Sequence, residues 1–196
     1  MQMFKRRPKV QIAAERVFLR MPGMGDHVEW ARLRRAGEDF LKPWEPTWAT
    51  DHFTRRAFSN RVFWAKKTYE SGKGLPLFLF RHDDDQLLGA ITLDNIRRGP
   101  AQSATLGYWV GKDFARQGYM TEAIQAVVHY AFESLDLSRV EAATLPENEA
   151  SRGLLEKTGF KYEGVAQSYL QIAGRWRTHV LYANLRHDRR GKTDVG

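Results

Sequence analysis

The chain has no cysteine among its 196 residues, which excludes disulfides, a thiol nucleophile and any metal site built on thiolates. Long apolar runs are also missing, none approaching the ~20 residues that span a bilayer. The basic opening MQMFKRRPKVQIAAER contains no apolar segment of the signal-peptide kind. A soluble, cytoplasmic protein is therefore expected. Internal repeats are absent, and no linker is long enough to divide the chain. The acidic triplet Asp83-Asp84-Asp85 sits between two strand-like runs, and three adjacent carboxylates in a tight turn cannot converge on one cation without other ligands. No metal is expected.

What the sequence does have is basic charge and aromatic bulk. It carries a formal net charge of +8, with 6 Trp, 7 Tyr and 11 Phe, and its length suffices for one domain with a substantial core. The charge is unevenly placed. Lys5, Arg6, Arg7 and Lys9 meet no acid in residues 1–10, and Arg186, Arg189, Arg190 and Lys192 outweigh Asp188 and Asp194 at the other end, so the two ends hold six of the eight net charges. Residues 1–11 read as a basic arm, 12–185 as a single domain and 186–196 as a mobile basic tail. Two readings of the ends stay open: solubility, or salt-dependent contact with a polyanion such as RNA.

Periodicity gives the elements in order. Glu15–Arg20 alternates as a first strand, and Asp26 stands as N-cap before a helix reaching about Ala36. A loop follows with Trp44, Glu45 and Trp48 around Pro43 and Pro46, and then a helix from about Thr54 to Tyr69. Leu75–His82 and Gln86–Ile96 form a hairpin over the acidic turn. Ala104–Val110 is a strand, Gly118–Leu135 a helix, Arg139–Leu145 a strand and Glu149–Thr158 a helix closed by Gly159. Tyr162–Ile172 and Arg175–Leu185 make a last hairpin turning at Ala173-Gly174. The sum is an α/β fold of the α+β kind: a mixed, mostly antiparallel sheet of about seven strands flanked by about four helices.

The stretch Ala104–Leu135 is the most informative. In its helix, Met120, Ile124, Val127, Val128, Phe132 and Leu135 recur on one face. Strand, glycine turn and amphipathic helix together aim unpaired N–H groups and the positive end of a helix dipole at whatever lies over the turn, and Arg116 adds a full charge. A phosphate-bearing ligand suits that place. A glycine at such a turn is by itself only backbone geometry, so the other motifs decide the matter.

Those motifs are RQGYMTEA, then PENEAS, then LLEKTGF, in that order and spacing. They resemble the GCN5-related N-acetyltransferase (GNAT) superfamily. KPWEP at Lys42–Pro46, NIRRG at Asn95–Gly99 and YLQIAGRWRTHVLYA at Tyr169–Ala183 look like its RimJ-type ribosomal-protein alanine N-acetyltransferases, and the likeness runs from about Lys9 to about Leu185. The resemblance implies the GNAT fold, acetyl-coenzyme A (acetyl-CoA) as co-substrate and a protein N-terminal α-amine, ribosomal or otherwise cytosolic, as acceptor. It also implies roles. Tyr108, Trp109 and Val110 would line the pantetheine arm where the strand splays from its neighbour. Arg116, Gln117, Gly118, Tyr119, Met120 and Thr121 would hold the pyrophosphate, although Ala115 and Met120 depart from the family pattern. Asn148 is a helix N-cap in its own right and would also contact the arm.

Ser151 would protonate the leaving thiolate, since Leu155 occupies the position where relatives carry Tyr. The base is the weak point, because the two places where relatives put a carboxylate are here Ala143 and Ser168. Glu45 and Glu141 are the nearest alternatives, and an α-amine with a pKa of about 8 needs less help than a lysine. Trp44 and Glu45 are expected on the acceptor side. Two other readings remain: a small-amine acetyltransferase acting on polyamines or aminoglycoside-like compounds, and a non-catalytic ribosome- or RNA-associated factor using the basic ends. Monomer and homodimer are equally open.

Overall fold

Leu75–Arg81 (β3) is buried along six consecutive residues, so the sheet around it must be covered on both faces. The computed structural model, which describes residues 10–187, has eight strands in one sheet. The others are Gln11–Ala13 (β1), Val17–Arg20 (β2), Leu87–Arg97 (β4), Ser103–Val110 (β5), Arg139–Thr144 (β6), Lys161–Ile172 (β7) and Arg175–Leu185 (β8). They lie in the order β1-β2-β3-β4-β5-β6-β8-β7. Every neighbouring pair is antiparallel except β5 and β6. This is the expected mixed α/β architecture with one more strand, because β1 has three residues and is too short for alternation to betray it.

Helices cover both faces. Tyr119–Glu133 (α4) buries Met120, Ala123, Ile124, Val127, Val128 and Ala131 against one face, each large aliphatic side chain contributing about 1.5–3 kcal/mol. Glu149–Lys157 (α5) adds Leu155 to the same core. On the other face, His27–Ala36 (α1) and Arg55–Glu70 (α3) pack Trp30, Leu33 and Phe58 against Phe78, Phe80 and Ala90. Glu38–Leu41 (α2) is a fifth, four-residue helix in the loop after α1. No helix among the described residues is long and apolar enough to cross a membrane.

Two local expectations shift. The backbone N–H of Arg16 bonds to Glu122 Oε1 at 2.5 Å instead of joining the sheet, so β2 starts at Val17. Asp26 holds the N-cap position of α1 as expected, but its side chain makes no capping bond; its carboxylate accepts from Gly23 N at 2.7 Å and pairs with Arg20. Most of the basic arm and tail, residues 1–9 and 188–196, lies outside the described residues. Of the remainder, Gln11 belongs to β1, and Arg186 donates to Phe132 O and to Asp136 Oδ1 at 2.8 Å each.

One feature of the sheet creates the site. β5 and β6 pair only at Ser103–Thr105 against Arg139–Glu141. Beyond that point β5 follows β4 as far as Gly89↔Val110, and β6 follows β8. Gly89 draws β5 in, since a Cβ there would lie 2.2 Å from Trp109 O and 2.9 Å from Val110 Cα. The two parallel strands part, leaving a cleft.

Candidate active site

From Leu106 to Val110, the edge of β5 that faces β6 has no strand partner among the described residues. Backbone groups on such an edge require an extended, amide-bearing partner or water. The cleft opens toward the turn before α4. There Arg116 has φ +61° and Gly118 φ +85°, and the left-handed conformation costs an L-residue roughly 1 kcal/mol or more that glycine does not incur. The turn brings the first N–H groups of α4 together where no helical carbonyl reaches them. Met120 is 6 % exposed, so only its backbone is available to a ligand, whereas Arg116 and Gln117 are exposed.

A further cation stands over this turn that sequence reasoning missed. Arg16 donates through Nη1 to Gln117 O at 3.2 Å and through Nε to Glu122 Oε2 at 3.0 Å, and its guanidinium lies 4.8 Å from the Tyr119 ring centroid. It arrives from the residue just before β2, over a hundred residues away in sequence, and nothing in its local surroundings marks it.

Across the cleft, Asn148 Oδ1 accepts from Ser151 N at 3.1 Å, the N-cap bond expected of it. Ser151 Oγ lies 2.7 Å from the Tyr108 hydroxyl. Burial pushes the Tyr108 phenol up to about 12, opposed by the Ser151 hydrogen bond, so it stays protonated at neutral pH. The trio Tyr108, Trp109 and Val110 does not converge side by side, because a strand alternates. Tyr108 and Val110 pack with the α4 core, whereas Trp109 faces α1 and stacks at 4.7 Å on the Arg34 guanidinium.

On the α1 and α3 face lies a cavity of about 300 Å³ bordered by Trp30, Arg34, Glu45, Arg61, Trp64 and Trp109. Tyr108 borders it too, so a single residue touches both the cavity and Ser151. Glu45 lies where an acceptor wall was expected, but it is engaged: Arg34 Nη1 donates to Oε1 at 2.7 Å, and Arg34 Nη2 and Trp48 Nε1 both donate to Oε2. Its backbone carbonyl accepts from Ala173 N at 3.0 Å, tying the tip of the β7–β8 hairpin to the loop. Trp44 is 38 % exposed and is not among the cavity's lining residues.

Arg34 is 4 % exposed and is also flanked by the Trp48 ring at 4.3 Å. It shares a helical face with Trp30 and Leu33, and a charge on an apolar face was the one visible sign that it would find a buried partner. His52 sits between Trp30 and Trp48, at ring distances of 5.2 and 4.6 Å. Burial, then the charges of Arg34 and Arg61, push it down to about 4.

Ala143 and Ser168 bring no acid to the cleft. Ser168 is an exposed residue with φ +47° on an irregular part of β7, and Glu141 is ion-paired with Arg97 and Arg139. Among the described residues no cluster of three or more His, Asp or Glu could hold a metal ion.

The arrangement is therefore an open strand edge, a positively charged helix turn, a tyrosine–serine pair and a cavity meeting at Tyr108. These groups fit the parts of a coenzyme A thioester: amides for the edge, pyrophosphate for the turn, sulfur for the hydroxyl pair. Comparison with known proteins agrees. Residues 16–161 match the family model described as "Acetyltransferase (GNAT) domain". The chain is 32 % identical over 176 residues to the [ribosomal protein uS5]-alanine N-acetyltransferase of Escherichia coli K12, covering 90 % of this chain and 91 % of that one. It superimposes on Mycobacterium smegmatis RimJ in complex with CoA-disulfide with a TM-score of 0.87 and 29 % identity, over 93 % of this chain and 90 % of that one. With the ribosomal-protein-S5-alanine acetyltransferase of Vibrio fischeri the TM-score is 0.84 at 26 % identity, over 93 % and 100 % of the two chains.

Proposed function

The chain belongs to the GNAT acetyltransferase family, and from that premise we propose that it acetylates the N-terminal α-amine of a protein, with a ribosomal protein as the acceptor class. The single observation that carries this reading is the meeting of cleft and cavity at Tyr108, a residue that borders the cavity and whose hydroxyl is bonded to Ser151. Acetyl-CoA supplies the acetyl group as a thioester; everything else is the work of this chain. The turn at Arg116–Thr121, with Arg16 above it, holds the pyrophosphate through backbone N–H groups and charge. The free edge of Leu106–Val110 pairs with the pantetheine amides, and one of its N–H groups polarises the carbonyl as negative charge develops on oxygen. Asn148 fixes the start of α5 and so the position of Ser151. Ser151 delivers a proton toward the departing sulfur, and Tyr108 replenishes it.

On the acceptor side no free carboxylate is needed. An α-amine is already partly neutral near pH 7, and holding amine and carbonyl in contact supplies much of the rate. Glu45 is assigned a positioning role, since Arg34 and Trp48 hold its oxygens. Trp44 lies on the outer side of the same loop and would meet the acceptor only beyond the cavity.

For contact with the ribosome, α3 presents Arg56, Asn60, Phe63 and Lys67 at i, i+4, i+7 and i+11 on its exposed side, with Phe63 69 % exposed. A basic and aromatic stripe suits RNA, and a cytoplasmic setting follows from such an acceptor. The small-amine reading called for an acidic pocket, whereas two arginines face one glutamate here. The non-catalytic reading leaves the Tyr108–Ser151 pair without a purpose.

The deciding experiment follows thiol release from acetyl-CoA and product mass against peptides beginning with Ala or Ser, alongside polyamines and aminoglycosides. Acetylated peptide α-amines are expected. Turnover confined to the small amines would overturn the reading.

A further inference from the structure

The cavity holds more positive charge than it cancels. Arg34 spends its two terminal nitrogens on Glu45, yet its Nε is buried without an acceptor. Arg61, the second guanidinium on the wall, lies 5.1 Å from the Trp30 ring centroid, and among the described residues no carboxylate forms an ion pair with it. Two cations thus border the space with one anion beside them, Arg34 buried and Arg61 exposed to solvent. His52, lodged against the same group, already registers the excess: burial and then Arg34 and Arg61 drive its proton off.

We propose that this cavity recognises a carboxylate carried a few bonds from the acceptor amine, with Arg61 as the residue that binds it. The inference rests on the acetyl-transfer reading above and names the acceptor it selects. A guanidinium offers paired N–H donors that match a carboxylate's two oxygens, and the Trp30 ring lies beside it. The cavity's 300 Å³ is at the small end of ligand sites, so the anion must sit close to the amine. Two sources share this chemistry: an acidic side chain in the first few residues of a protein N-terminus, or the carboxylate of a small free amino acid. A basic residue at the same place meets Arg61 head-on and is rejected, which gives selectivity by repulsion as well as attraction.

The test uses peptides that differ only at the second position, Ala-Glu, Ala-Gln and Ala-Lys, and free β-alanine against its amide. Turnover is measured with the wild type, Arg61→Gln and Arg61→Glu, and binding is followed separately by quenching of the cavity tryptophans. The wild type is expected to favour Ala-Glu over Ala-Lys by at least about tenfold in kcat/KM, mostly through KM. Arg61→Gln should flatten that ratio and Arg61→Glu should invert it, a swap that general unfolding cannot mimic. Equal use of the three peptides by the wild type overturns the proposal while leaving peptide acetylation intact. Acetylation of β-alanine but not its amide, with no peptide modified, upholds carboxylate recognition and overturns the protein acceptor instead. If nothing turns over, the binding series decides: tighter binding of the Glu peptide supports the proposal, and equal binding overturns it.

Discussion

The hydroxyl of Tyr108 lies 2.7 Å from Oγ of Ser151, 43 residues further along the chain, which makes one hydrogen-bonded unit from a strand and the first turn of a helix. Proton donation by such a unit contributes about 10²–10⁴ to an acyl-transfer rate. Ser151→Ala and Tyr108→Phe are each expected to lower kcat by about 10- to 100-fold with little change in acceptor KM. Because the two act in series, the double variant should be no slower than the slower single one. Effects that simply multiply would show that they act apart. With its phenol pushed up to about 12, Tyr108 keeps its proton through the neutral and mildly basic range, so it should add no fall in rate as pH rises from 7 to 9.

Arg34 and Glu45 are 5 % and 20 % exposed along their side chains. Glu45→Gln leaves a buried guanidinium without its counter-charge, and the expected loss of stability is about 3 kcal/mol, read from the urea midpoint. Replacing both, Arg34→Met with Glu45→Gln, should recover part of it because no unpaired charge remains. A stable Glu45→Gln variant whose rate is low across the whole pH range, with the wild type's fall at acid pH gone, would instead make Glu45 a base.

At the turn before α4, Gly118→Ala must adopt φ +85° and bring a Cβ within 3.1 Å of Arg16 Nη2. The strain is about 1 kcal/mol, small for the fold. Acetyl-CoA affinity should suffer more, with KM rising about tenfold as the N–H groups tilt away from the pyrophosphate. Calorimetric titration with coenzyme A checks this, and unchanged affinity would place the pyrophosphate elsewhere.

His52 gives a pH dependence whose sign is fixed. Its folded pKa, about 4, lies below the value of about 6.5 it has when unfolded. Between those two values the unfolded chain binds a proton that the folded chain refuses. Stability is therefore full above about pH 6.5 and declines as pH falls toward 4, by on the order of 1–2 kcal/mol after allowance for solvent screening. His52→Gln should remove that part of the decline. Urea midpoints at pH 7 and pH 5 for both proteins provide the measurement, and parallel losses would assign the acid sensitivity to other groups.

The sequence alone determined the periodic elements and the local turns. The apolar stripe of α4, the N-cap at Asn148, the glycine at 118 and the hairpins all depend on residues a few places apart, where spacing dictates geometry. The family motifs rest on the same short-range logic. The tertiary structure decided which charges meet. Arg16 reaches Glu122 and Gln117, Arg34 reaches Glu45, and Trp109 turns from the cleft to Arg34, because ion pairs and stacked rings join elements whose separation no local pattern encodes. Glu45 could be read from its loop as a free carboxylate, and only the packing of α1 beneath that loop shows it already neutralised. The opening between β5 and β6 is of the same kind: it exists because Gly89 lets β4 hold one strand while β8 holds the other.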